Sequence, residues 1–161
     1  MLDNVICLGH NSIKFLKENK VIYVDPYKID NNYNDADIIF ITHSHYDHFS
    51  KEDIFKVRND STKIVVTEDL YDEILCLDFN ESDVLVALPN NNYSFDGIIF
   101  STISSYNVDK NFHPKSNNWL GYILNLEGVS YYIVGDSDIT EESKVVKCDV
   151  LFVPIGGIYT T

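Results

Sequence analysis

Apolar positions along the chain come in short runs, with few long stripes. Val5 to Leu8, Ser12 to Phe15 and Val21 to Val24 are β-branched and aromatic segments, separated by Gly9-His10-Asn11 and by the polar turn Lys17-Glu18-Asn19-Lys20. That pattern predicts an antiparallel meander. Asp25-Pro26 closes the third run, because a residue before proline is pushed to extended geometry and proline cannot donate to a ladder. Asp37 to Thr42 is apolar without alternation and predicts a strand covered on both faces. Ser50, with Asp53 three residues on, reads as the start of a helix over Lys51 to Arg58. A strand over Lys63 to Thr67 follows. Next come a helix over Glu68 to Leu77, with Leu70, Ile74 and Leu77 at helical spacing, and a strand over Asp83 to Leu88. Such alternation points to a mixed or parallel sheet under helices.

From Tyr93 the pattern changes to antiparallel pieces: Tyr93 to Phe95, Ile98 to Ser104, Leu120 to Leu126 and Ser130 to Val134, with Asp96-Gly97 and Glu127-Gly128 as hairpin turns. These form a second sheet, and the fold class is α+β. A long polar loop, Ser105 to Asn118, interrupts them, and ordered loops of that length tend to be functional. Thr140 caps a helix whose first turn holds Glu141 and Glu142, and Val150 to Val153 reads as a last buried strand.

The chemistry concentrates in Thr42-His43-Ser44-His45-Tyr46-Asp47-His48, where the run Ile38-Ile39-Phe40-Ile41 stops and the helix at Lys51 starts; three of the five histidines fall within six residues. Along an extended segment His43, His45 and Asp47 project to one side while His48 turns away as the chain leaves the strand. Imidazole nitrogen and carboxylate oxygen suit zinc, and the spacing lets two histidines share one ion while the Asp47-His48 pair serves a neighbour. A lone histidine at a strand end is more often a polar cap. Three with an aspartate crowd titratable groups for no stabilising return unless a metal joins them.

His-x-His-x-Asp-His after an apolar strand and before a helix resembles the first metal motif of the metallo-β-lactamase superfamily. Gly9-His10-Asn11-Ser12, Val24-Asp25-Pro26, Gly135-Asp136-Ser137-Asp138 and Pro154-Ile155-Gly156-Gly157 extend the likeness to the metal-dependent hydrolases related to sugar-lactone hydrolases. The resemblance implies a four-layer αβ/βα sandwich over residues 1–161 as a single domain. Family members run longer and carry a final histidine ligand after this point, so the C-terminal part is expected to be incomplete and the second ion one protein ligand short. His113 lies 65 residues after His48 and 23 before Asp136, which matches the family's third metal motif. By the same likeness Asp136 is the carboxylate that bridges two ions.

The implied metal set is thus His43, His45 and His113 for one ion, and Asp47, His48 and Asp136 for the other. Zinc is expected, with manganese or iron as alternatives. Asp47 is the catalytic group, orienting a metal-bound hydroxide and accepting its proton; the bond cleaved is an ester, lactone, amide or phosphodiester. Tyr106, Asn107, Lys115, Asn118 and Trp119 flank His113 as candidate substrate contacts; the alternative is that Trp119 is core and the others are solvated. His10 falls in the first turn and reads either as a turn residue or, helped by the likeness, as one that lines the pocket or supports a ligand; Asp25 either caps a turn or braces the metal loop. Two other readings stand beside this one. A shortened relative could bind metal without catalysis, and a di-iron redox protein on the same fold is disfavoured because that branch has glutamate where His45 stands.

Composition narrows the partners. A net charge of -13, with 25 acidic against 12 basic residues and no basic run, repels polyanions and disfavours nucleic acid. A small-molecule substrate is expected. Cys7, Cys76 and Cys148 are scattered and odd in number, which argues against a disulfide framework or a cysteine metal cluster. No basic-then-apolar leader opens the sequence and no apolar run is long enough for a bilayer; the expectation is a soluble cytoplasmic protein without membrane contact. If the end of the family fold is missing, the strand Val150 to Val153 loses its cover and a homo-oligomer burying Val150 to Tyr159 is expected.

Overall fold

A computed structural model describes residues 1–155. The chain divides into two units, one of Leu2–Val86 and one of Ala87–Thr161 with Met1. In the first unit the three opening runs become β1 (Val5–Gly9), β2 (Ser12–Lys17) and β3 (Lys20–Val24), paired antiparallel. β4 (Ile38–Phe40), β5 (Lys63–Val66) and β6 (Val84–Val86) continue the same sheet in parallel, giving six strands in sequence order. All three residues of β4 are buried, as the unalternating run required.

Helix α1 (Lys51–Val57) and helix α2 (Tyr71–Leu75) bury Ile54, Val57 and Ile74 in a cluster with Tyr23, Ile39, Ile64 and Val66. The expected helix over Glu68 to Leu77 is divided: a 3₁₀ turn, Glu68–Leu70, leads into α2, and a further 3₁₀ turn, Glu81–Asp83, delays β6 to Val84. α2 stops early because its last turn tightens, with Leu77 N–H donating to Ile74 O. Leu70, Ile74 and Leu77 are nonetheless all buried, so the apolar spacing located the packing face correctly and misjudged the helix length.

The start of α1 ties a loop to this core. Ser50 Oγ accepts from Asp53 N–H, as a cap should. The Asp53 carboxylate, however, turns away from the cap backbone and accepts from Lys28 N–H and Ile29 N–H, each at 2.9 Å, and from Ser50 Oγ at 2.7 Å. Burial alone would raise its pKa; the Ser50 hydroxyl, the Ile29 amide, Lys56 and the Lys28 amide outweigh that and hold it below the ordinary carboxylate range.

The second unit holds β7 (Asn92–Phe95), β8 (Ile98–Ser104), β9 (Leu120–Leu126), β10 (Val129–Ile133) and β11 (Val150–Phe152), in sheet order β11-β10-β9-β8-β7. β7 through β10 are antiparallel and β11 joins β10 in parallel. Both hairpins turn on residue pairs with positive φ, Asp96 and Gly97 at 49° and 80°, Glu127 and Gly128 at 51° and 76°, the mirror-image turn that matches strand twist. Gly121 of β9 admits no side chain: a Cβ there would meet Ile133 O and Val134 O at 3.0 Å. Helix α3 (Glu141–Lys144) is short, begun by a reciprocal Thr140–Ser143 cap.

β11 departs from the expectation of a buried strand. It forms the edge of its sheet among the described residues, with Leu151 half-exposed and Val150 and Phe152 only partly buried. Gly156-Gly157 and the tail Ile158 to Thr161, which the assembly expectation included, lie outside the described residues. Among those described, no helix is long and apolar enough to cross a membrane.

Replacing Asp53 by alanine leaves two loop amides without their acceptor and is expected to lower stability by about 2–4 kcal/mol. Because the folded-state pKa is depressed, this contribution is present above the ordinary carboxylate range and fades as pH falls through the folded value. Urea midpoints of wild type and Asp53→Ala should therefore differ at pH 7 and converge toward pH 3.

Candidate metal centre

β4 ends at Phe40, and residues 41–50 leave the sheet without regular strand geometry. Strand alternation consequently does not govern the motif. His45 O accepts from both His48 N–H at 2.9 Å and Phe49 N–H at 2.7 Å, and this turn folds His48 back toward His43. The two rings lie 4.0 Å apart between centroids, and His43 and His45 lie 4.8 Å apart. The expectation that His48 turns away is thereby corrected. His43 and His48 are buried and His45 is half-buried.

Asp25 organises the loop. Its carboxylate is fully buried and accepts from Thr42 N–H at 2.8 Å, Thr42 Oγ at 2.6 Å, Asn11 Nδ2 at 2.7 Å and His48 Nδ1 at 2.7 Å. The contact to a carboxylate places the His48 proton on Nδ1, so that Nε2 carries the lone pair. Thr42 has one hydroxyl hydrogen, and it goes to Asp25. Toward His43 Nδ1, at 2.9 Å, the hydroxyl must then accept, so His43 is protonated on Nδ1 as well. One carboxylate, directly and through Thr42, sets the tautomer of two candidate ligands. The backbone of Asp25 is left-handed, at φ +43°, where extended geometry was expected before proline. The four hydrogen bonds over-determine that conformation.

His10 comes to the same loop. Its Nε2 lies 3.0 Å from Asp47 Oδ2, its ring is 5.0 Å from His48 and 5.6 Å from Tyr27, and ligand atoms of His10, Asp47 and His48 lie within 4.8 Å of one another. All candidate residues of the first unit, His10, Asp25, His43, His45, Asp47 and His48, are thus gathered around one loop.

In the second unit the Ser105 to Asn118 loop folds on itself. His113 Nδ1 meets Asn107 Oδ1 at 2.9 Å, and Asn107 N–H donates to His113 O at 2.8 Å. An amide oxygen accepts, so His113 too carries its proton on Nδ1 and offers Nε2, which lies 3.7 Å from Asp136 Oδ2. Asn107 is buried and braces His113. Trp119 is buried with its ring 5.4 Å from His113, in keeping with the core alternative. Asn118 is a left-handed residue at φ 55°, closing the loop before β9. Asp136 is buried after Gly135, whose φ is +71°.

Tyr106 and Lys115 are both engaged by a residue that sequence reasoning treated only as a helix-start acid. Glu142 accepts from Lys115 Nζ at 2.5 Å and from Tyr106 OH at 2.9 Å. The ammonium of Lys115 foremost, with the backbone amide and Tyr106, pulls the Glu142 carboxyl down to about 2. No local signal links positions this far apart in sequence. With imidazole nitrogens and carboxylate oxygens as its donors, the set suits zinc, manganese or iron.

Comparison with known proteins supplies independent findings. The model of the Beta-lactamase superfamily domain matches residues 4–161. A metal-dependent hydrolase of Saccharolobus solfataricus is 28% identical over 167 residues, covering 95% of this chain and 71% of the relative. One of Sulfurisphaera tokodaii is 30% identical over 169 residues with the same coverage. Among solved structures, a metal-dependent hydrolase from Parabacteroides distasonis superposes with a TM-score of 0.84 at 27% identity, covering 97% of this chain and 71% of that one. CmlA, a diiron β-hydroxylase from Streptomyces venezuelae, has a TM-score of 0.72 at 16% identity over 92% of this chain and 34% of its own; it shares the fold alone.

Asp25→Ala is expected to strip the acceptor from a buried amide, hydroxyl and imidazole, lowering stability by about 1–3 kcal/mol and zinc affinity by about 10–100-fold. Thermal melts of the apoprotein and competition with a chromophoric chelator measure the two effects separately. Asn107→Ala should lower zinc affinity by a similar factor, and Asn107→Asp, which still presents an acceptor to Nδ1, should recover most of it in the same chelator assay.

Proposed function

This chain belongs to the metallo-β-lactamase superfamily, and on that premise we propose that it is a metal-dependent hydrolase of a small molecule, cleaving an ester, lactone, amide or phosphodiester bond. The observation that carries the reading is the Asp25 carboxylate, buried and bonded to His48 Nδ1 and through Thr42 to His43. That is how proteins orient imidazoles for a metal, with the distal nitrogen reserved for the ion. The names of the relatives agree with it.

In this reading, which follows the order of motifs along the sequence, His43, His45 and His113 hold one ion, and Asp47, His48 and Asp136 hold the second. Zinc is the metal we propose, with manganese or iron as the other results of a metal analysis. Bound divalent ions supply Lewis acidity and an activated water at neutral pH. The chain's own residues do the rest. Asp47 orients the water and takes its proton, and Asn107 keeps the Nε2 of His113 on the ligand side. Tyr106 and Lys115, held by Glu142, form the wall met by the substrate. The three cysteines are free, and we accordingly place the protein in the reducing cytoplasm.

The test is metal content of the purified protein, by mass spectrometry, followed by turnover of p-nitrophenyl esters, γ-lactones and bis(p-nitrophenyl) phosphate. Metal should be bound and at least one substrate class hydrolysed. Chelation should abolish turnover, and Asp47→Ala should lower kcat by about 10²–10⁴-fold. Metal bound with no turnover across the panel would replace the hydrolase with a metal-binding member of the family, and absence of metal binding would overturn the reading entirely.

A further inference from the structure

Of the five histidines, four answer to the family's metal motifs and His10 does not. Its placement is nevertheless defined by the turn that carries it. The β1–β2 register shifts between Cys7 and Gly9, after which Gly9 pairs with Ser12, leaving His10 and Asn11 as the turn. Gly9 takes φ +112° and His10 φ +52°, the left-handed region that few non-glycine residues enter. The turn is fastened by Asn11, whose Nδ2 donates to Asp25 Oδ2 at 2.7 Å. Asp25 is also the group that orients His48. A single carboxylate thus positions the imidazole of His48 and the turn that presents His10.

The geometry points to His10 as an additional protein ligand of the divalent first-row metal ion assigned above to Asp47, His48 and Asp136. The inference rests on that assignment. His10 Nε2 lies 3.0 Å from Asp47 Oδ2, close to the separation of roughly 3.4 Å between two ligands of a tetrahedral ion with bonds near 2.0–2.1 Å. Candidate donor atoms of His10, Asp47 and His48 lie within 4.8 Å of one another. Imidazole nitrogen and carboxylate oxygen are donor types that hold catalytic zinc. Unlike the buried His48, His10 and Asp47 are partly exposed, their side chains 36% and 23% accessible, so the ion would face water or substrate on that side.

The experiment is cobalt and zinc titration of the full chain, read by d–d absorption and chelator competition, with His10→Asn and His10→Ala. Asparagine tolerates the left-handed backbone, so it separates loss of the ligand from loss of the turn; circular dichroism melts report folding. The expected result is that one metal equivalent weakens at least about 10-fold in both variants, since even losing a bracing group costs 10–100-fold. His45→Ala should instead weaken a different equivalent. Folded His10 variants that bind every equivalent with wild-type affinity would overturn the inference. Wild type that binds the His10-dependent ion but hydrolyses nothing would leave it standing and overturn only the hydrolase; wild type that binds no metal would overturn both.

Discussion

A buried negative charge is tolerated only when hydrogen-bond donors surround it, and in this protein that constraint falls on Asp25. The carboxylate collects an amide, a hydroxyl, a side-chain amide and an imidazole. Each donor belongs to a segment that would otherwise move independently: the β1–β2 turn, the chain leaving β4, and the far end of the motif. The sheet makes this economical. Asp25 ends β3, and its N–H donates to Phe40 O at the end of the neighbouring parallel strand β4. Parallel pairing delivers the ends of both strands to the same side, where irregular backbone can be satisfied by side chains.

The second unit solves the same problem with different groups. His113 rests on an amide oxygen from its own loop, and that loop is fastened to α3 through Tyr106, Lys115 and Glu142. Additional strands of chain return to it, since Asp138 N–H donates to Tyr106 O and Asp138 Oδ2 accepts from Val108 N–H. A loop whose regular structure is limited to the 3₁₀ turn Lys115–Asn117 is thereby held at several points along its length.

The elements legible in the sequence were those written in a short local pattern. The unalternating run at Ile38 to Phe40 marks a doubly covered strand, the two hairpin glycines mark their turns, and the clustering of His43, His45, Asp47 and His48 marks the loop where candidate ligand atoms gather. What escaped was nonlocal or backbone-borne. Asp25 before Pro26 was read as extended because local sterics favour it, whereas four long-range hydrogen bonds hold it left-handed. The motif was read with strand alternation, although the turn through His45 O decides where His48 points. In the sequence Asn107 reads as a candidate substrate contact and Glu142 as a helix-start acid, since their partners become neighbours only after folding.

The double acceptance at His45 O has an evolutionary corollary. Two successive amides, from His48 and Phe49, close on one carbonyl, so the number of residues between positions 45 and 48 is fixed by the turn as much as the residue types are fixed by chemistry. Substitutions within Thr42 to His48 change donors one at a time, but an insertion or deletion would rotate every following side chain together. Descent in this lineage should then show the spacing of the motif outlasting the identity of its intervening residues Ser44 and Tyr46, with length variation diverted to segments such as the polar loop Asp30 to Asp35, which carries no candidate ligand.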